Sequence, residues 1–310
     1  MAGGMNHYPP VAHFLAGLAG LALGSSLVGI YLVVSFAILC SLFLTVKMVV
    51  NGRDTRSASL SVAVLIVIAF GCSRGKTFVG HEIIQNFFFA QAVGHTFVIA
   101  GIAELNRLGT YRLDIQVLAM SLAVAFVTSV YMLSGIQLAA GCLAFLALPI
   151  LRGIDWRRML AVTAFAPVSL LILATHPSFW ESVSLASGEG WISISMKSVT
   201  TASGLLAAGL IAAIALYLKT ELRPWYRPAI SLGVAALAPF LLQALALTIT
   251  GTGSSYVLRK HGFLLGTSAA ILWTCIVVEV ALRLNVRRFP LELPSHADRS
   301  FYLVLPRYSA

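Results

Sequence analysis

Polar residues interrupt this chain seldom, and the stretches between them are long and apolar. Nine such runs stand out, at 27–50, 58–72, 87–105, 115–133, 136–151, 159–175, 201–218, 229–249 and 262–284. A helix needs about 20 mostly apolar residues to cross a bilayer, with a range of about 17–25. Runs 58–72 and 136–151 are short, and their helices are expected to reach into neighbouring residues. A tenth run, Val11 to Leu23, is too short for an ordinary span, is glycine-rich and follows Pro9-Pro10. It reads as an interfacial or partly inserted helix leading into the first span. The pattern therefore predicts an all-α, polytopic membrane protein with about nine transmembrane helices plus a short interfacial helix near the N-terminus. Its expected organisation is an external segment at 1–26, one helical membrane domain at 27–284 and a tail at 285–310.

Composition agrees and excludes alternatives. Of the 310 residues 59% are hydrophobic and 10% charged, with mean hydropathy +0.91. A soluble domain carries about a quarter charged residues, so a water-soluble enzyme, a disordered chain and a collagen-like fibre are all ruled out. The net charge of +10 is explained by topology. Sixteen of the 21 basic residues fall in one alternating set of loops and the C-terminal tail, among them Lys47, Arg53, Arg152, Arg158, Arg227 and Arg283. That set is assigned to the cytoplasm by the inside rule, the C-terminus with it, and no nucleic-acid partner is needed. A multi-pass protein of a bacterial inner (plasma) membrane is expected. Parity then puts residues 1–10 outside; nothing upstream resembles a signal peptide, so a transmembrane helix preceding this chain is expected. Cys40, Cys72, Cys142 and Cys275 lie far apart in or beside apolar runs and read as buried small side chains, not as a zinc site.

Five basic residues remain on the side that the inside rule disfavours: Arg74, Lys76, Lys197, Arg259 and Lys260. The loop Cys72 to Asn86 carries Arg74 and Lys76, then His81 and Glu82. Glu82 is a candidate general base or metal ligand, with His81 able to assist. The segment Gly251 to Gly262 delivers Tyr256, Arg259, Lys260 and His261 to the start of the last run. Cations beside a tyrosine at an interface suit an anionic headgroup, because they donate charge-assisted hydrogen bonds to phosphate. The long loop 176–200 holds Trp180 and Trp191, which read as interfacial aromatics. No carboxylate falls near the centre of a predicted span, which counts against an ion-coupled transporter.

The N-terminal stretch His7-Tyr8-Pro9-Pro10, followed by the glycine-rich run to Gly24, resembles the YPP-plus-helix segment of GT-C-type glycosyltransferases. These multi-span enzymes use polyprenyl-phosphate sugars on the outer face. The resemblance covers about the first 50 residues and is positional beyond them. It implies a lipid-linked sugar as donor, a glycan or lipid of the cell envelope as acceptor, and membrane lipids as surroundings. It implies Glu82 with His81 in catalysis, and Arg74, Lys76, Tyr256, Arg259, Lys260 and His261 at the donor phosphate. The resemblance implies no specific cofactor; a divalent metal is compatible with the superfamily, but the sequence presents no complete ligand set. The family's base is usually an aspartate ahead of YPP, and residues 1–10 contain no acidic residue. The competing class is a non-catalytic transporter, flippase or membrane subunit handling lipid-linked saccharides, which needs the external cations and no base.

Overall fold

The structure, a computed structural model, describes residues 10–86, 88–180, 192–219, 225–251 and 253–288. Its elements are helices: α1 (Val11–Leu23), α2 (Ser26–Val50), α3 (Thr55–Arg74), α4 (His81–Asn86), α5 (Phe89–Leu108), α6 (Leu113–Val130) and α7 (Met132–Ala147), the last ending in a 3-10 turn. They continue as α8 (Trp156–Thr175), α9 (Met196–Lys219), α10 (Tyr226–Thr250), α11 (Ser255–Lys260) and α12 (Gly262–Arg288). No strand occurs among the described residues. His7, Tyr8 and Pro9 of the YPP stretch, Trp191 and the tail beyond Arg288 lie outside the described residues. Pro10 caps α1, which has the bounds of the short run in the sequence.

Among the described residues eight helices are long and apolar enough to cross a membrane, where the pattern predicts about nine. The exception is the run at 87–105. It folds into the 20-residue α5, which carries Gln91, His95, Glu104, Asn106 and Arg107. The polar residues are tolerated because the helix is wrapped by others: Gln91 and His95 are buried together with Val98, Ile99 and Ile102. With no water in hydrocarbon to satisfy them, such groups belong inside a bundle. The outward surfaces are apolar by contrast, with Phe36, Phe43, Val67, Ile211 and Ile249 all largely exposed. Such faces suit lipid tails.

Two of the breaks between the apolar runs, at 134–135 and 72–86, are built differently from open loops. Ser134 and Gly135 do not form a loop; the break falls at Tyr131, whose extended backbone separates α6 from α7. The 72–86 segment is not a solvated loop either. Thr77, Phe78, Val79 and Glu82 are buried, and the chain turns back into the bundle before α5 begins.

Small residues let the helices approach closely, as membrane packing requires in the absence of a hydrophobic drive between helices. Ala12, Ala16 and Gly20 recur every four residues and form the buried stripe of α1. Gly29 of α2 lies directly on that stripe, where a Cβ would collide with the backbone of Ala16 and Gly20. Gly24 makes the reversal between the two helices in the left-handed region, at φ 72°, and Ser25 caps α2 by accepting from Val28 N. The two ends of α10 lie in different polar clusters, so the bundle has two polar ends. One gathers the start of α5, the end of α10 and the start of α12, joined by Gln91, Gln243 and His261. The other gathers Lys47, which donates to Glu104 at 2.6 Å, together with Arg152, Arg158 and Arg227.

Candidate functional site

The first candidate segment is pinned to α12 from below. Thr267 Oγ1 accepts the N–H of Val79 at 2.8 Å while donating to Phe263 O at 2.9 Å. Cys72 Sγ meets Gly266 O at 3.5 Å, and a side chain at Gly266 would collide with Thr77. Gly80, at φ 108°, uses the left-handed freedom of glycine to turn the chain into α4. The result is that the residue two positions on, Glu82, points inward instead of to solvent.

Glu82 is completely buried, and so is His95 on α5. Glu82 Oε2 accepts the N–H of Gly80 at 2.6 Å, and Oε1 lies 3.1 Å from His95 Nδ1. With Glu82 as a carboxylate, which only accepts, and His95 as a neutral imidazole, Nδ1 carries the hydrogen of this bond. The tautomer leaves Nε2 as an acceptor, and that atom is buried without a partner. A carboxylate orienting an imidazole whose other nitrogen is open is the arrangement of a general base with its positioning group.

The second candidate segment arrives from the other side. Ser254 caps α11 by accepting from Val257 N at 3.4 Å, and the six-residue helix brings Tyr256 and Lys260 to one face. Lys260 Nζ sits 4.5 Å from the centre of the Tyr256 ring and 5.2 Å from that of Phe88, a cation held between two aromatic faces. The carbonyl of Lys260 accepts from Gln91 Nε2 at 2.7 Å. Gln91 and His95 are four residues apart on α5 and so share a face, which ties the two segments together. His261 is buried with Nε2 2.7 Å from Gln243 Oε1, and it follows Lys260 directly in the chain. His261 Nδ1 and Gln91 Oε1 are further buried atoms without partners, as is Arg259 Nε.

The remaining predicted residues are placed differently. His81 Nδ1 lies 3.2 Å from Phe78 O, so this imidazole is engaged by its own turn. Arg74 is exposed, and its guanidinium stacks over Phe70 of the same helix at 4.9 Å. Lys76 occupies the turn after α3 with φ 60°, its N–H donated to Ser73 O at 2.9 Å. Glu82, Tyr256, Lys260 and His261 are therefore brought to one end of the interior, whereas His81, Arg74 and Lys76 make these other contacts. His95, Gln91 and Gln243 are not among the residues that the sequence analysis singles out. The available signal was the Gln91–His95 spacing of four within an otherwise apolar run.

Among the described residues no group of three or more His, Cys, Asp or Glu gathers that could hold a metal ion. The divalent metal compatible with the resemblance finds no donor set here. Comparison with known proteins adds no relative: no family model, no curated protein and no solved structure matches the chain.

Proposed function

We propose that this protein is a membrane glycosyltransferase that moves a sugar from a polyprenyl-phosphate donor to a glycan or lipid acceptor of the cell envelope, at the outer face of the membrane. The observation that supports this most is the buried Glu82–His95 pair with the open Nε2, lying at the same end of the bundle as Lys260 and Arg259. In this reading His95 Nε2 takes the proton of the acceptor hydroxyl. The acceptor oxygen forms its bond to the anomeric carbon as the bond from that carbon to the donor phosphate oxygen breaks. Glu82 stabilises the imidazolium and fixes its tautomer, and the proton leaves later to solvent. Lys260 and Arg259 balance the charge on the departing polyprenyl phosphate. In this reading the base work expected of Glu82 with His81 is instead divided between Glu82 and His95, which share a hydrogen bond.

The full burial of Glu82 favours one competing reading, a non-catalytic handler of the same lipid-linked saccharides in which the pair only braces the loop. The two separate in a transfer assay on full-length protein in membranes, with a radiolabelled polyprenyl-phosphate sugar. Loss of transfer in both His95→Gln and Lys260→Gln, at unchanged protein abundance, is the outcome expected of the enzyme. Transfer that survives His95→Gln would remove His95 from the chemistry; a wild type that transfers nothing but retains the donor, with retention lost in Arg259→Gln with Lys260→Gln, would leave the handler.

A further inference from the structure

The opposite end of the bundle carries a second built cluster that the transfer reaction does not use. Arg227, at the start of α10, lies with its guanidinium carbon 3.7 Å from the centre of the Phe145 ring and donates through Nη2 to Phe145 O at 3.1 Å. Arg152 stacks over Tyr217 of α9 at 5.4 Å. Arg158, in the first turn of α8, is close enough to Arg227 for their charges to act on each other, and Tyr217 lies within reach of all three guanidiniums.

Three like charges have been drawn together in a half-buried place. Among the described residues the carboxylate bound into this group is Asp155, which pairs with Arg158 at 3.3 Å and also caps α8 by accepting from Arg157 N and Arg158 N. Its charge is shared with the start of α8 and 45% exposed, so it offsets the Arg158 guanidinium only in part. Two donors are left over: Arg227 Nε and Arg158 Nη1 are buried and bond to nothing. Buried donors of a charged group cost free energy unless an acceptor reaches them. Guanidinium forks offer paired N–H donors at the spacing of two phosphate oxygens. Basic pockets between helix ends at a membrane surface are also where lipid phosphates bind.

We propose that Arg152, Arg158 and Arg227, walled by Tyr217 and Phe145, form a phosphate-binding site at the end of the bundle opposite Glu82, with a lipid phosphodiester or a small phosphate as its ligand chemistry. The site is independent of the transfer reaction, and its test does not depend on sugar transfer. Full-length protein is reconstituted in phosphatidylcholine vesicles, with and without phosphatidylglycerol, and in a third arm with inorganic phosphate added to phosphatidylcholine alone. Thermal unfolding and the protein's retention of the added probe are measured in each.

A Tm raised by phosphatidylglycerol but not by inorganic phosphate assigns the site to a lipid headgroup; a Tm raised by inorganic phosphate assigns it to a small phosphate. Each is a supporting result. Replacing Arg158 and Arg227 with glutamine is expected to weaken retention by about fivefold per arginine removed. Arg158→Lys with Arg227→Lys keeps the charge and the fold while losing the fork, and is expected to weaken retention by a smaller factor. Wild-type protein indifferent to both probes overturns the proposal. So does a double variant, glutamine or lysine, that retains the probe as the wild type does.

Discussion

The hydroxyl of Thr267 receives the backbone N–H of Val79 at 2.8 Å across 188 residues of sequence. Both are buried, and the hydroxyl's own hydrogen is donated to Phe263 O, so its donor is in use as well. This bond fixes the height at which the chain turns into α4, and hence where Glu82 enters the interior. Thr267→Val has nearly the same shape and leaves Val79 N–H without an acceptor. The cost of such an orphan is about 1–3 kcal/mol in soluble proteins, and interhelical bonds within membranes average about 0.6 kcal/mol. A modest fall in Tm is expected, accompanied by a much larger loss of transfer. Thr267→Ser should restore both. Full activity in Thr267→Val would show that the bond does not position the site.

Gly266 makes the same junction steric. A methyl group there meets the Thr77 backbone oxygen and side chain together, so Gly266→Ala must push the 72–80 segment off α12. Cys72, half-buried against Gly266 O, reports the movement. In a Cys40→Ser background, with Cys142 and Cys275 buried, maleimide labelling of Cys72 is expected to speed up in Gly266→Ala. Labelling at the wild-type rate would mean that the segment is not held by this contact.

Glu82→Gln tests the pair without removing volume. The amide has one accepting oxygen where the carboxylate has two, while Gly80 N–H and His95 Nδ1–H both present donors. The conflict is relieved if His95 shifts its hydrogen to Nε2, the nitrogen from which base catalysis would start. A comparable aspartate-to-asparagine change in a Ser-His-Asp triad lowers turnover by about 10⁴-fold through the wrong tautomer. Transfer in Glu82→Gln is therefore expected to drop by orders of magnitude at near-normal abundance. Glu82→Ala should in addition lose stability, since two buried donors are orphaned at about 1–3 kcal/mol each. A Glu82→Gln variant within a factor of about two of wild-type transfer would remove the pair from the mechanism, because a tautomer switch at the base cannot be silent.

The helical class and most helix positions were legible because hydrocarbon demands long apolar runs, and such runs survive in the sequence whatever packs against them. The α1 bounds follow from Pro10 and Gly24 for the same local reason. Burial was less legible. Glu82 and His81 are adjacent and read alike, yet the turn at Gly80 sends one inward and leaves the other at Phe78 O. That choice is made by Thr267 and Gly266, nearly two hundred residues away, and no local pattern encodes it. Lys260 was found because its charge opposes the inside rule, and Tyr256 as an interfacial tyrosine beside it. His95 was passed over because a single histidine in an apolar run has no local partner until α4 folds against α5.

The packing of α1 on α2 provides a test apart from the chemistry. Gly29 touches the backbone of Ala16 and Gly20, and backbone cannot swing aside as a flexible side chain can. Gly29→Ala must therefore separate the helices, and overpacking of this kind costs about 1–3 kcal/mol. Gly17 lies on the same helix α1, but a Cβ there meets nothing within 4 Å. Exchanging glycine for alanine raises intrinsic helix propensity at either position, by up to about 1 kcal/mol. Propensity alone thus predicts that both variants gain stability, whereas the contacts predict opposite signs. Thermal unfolding in vesicles is expected to show Gly29→Ala below the wild type and Gly17→Ala at or slightly above it. If Gly29→Ala matched Gly17→Ala, the close approach of α1 to α2 would be wrong, and the YPP-proximal helix would be packed elsewhere.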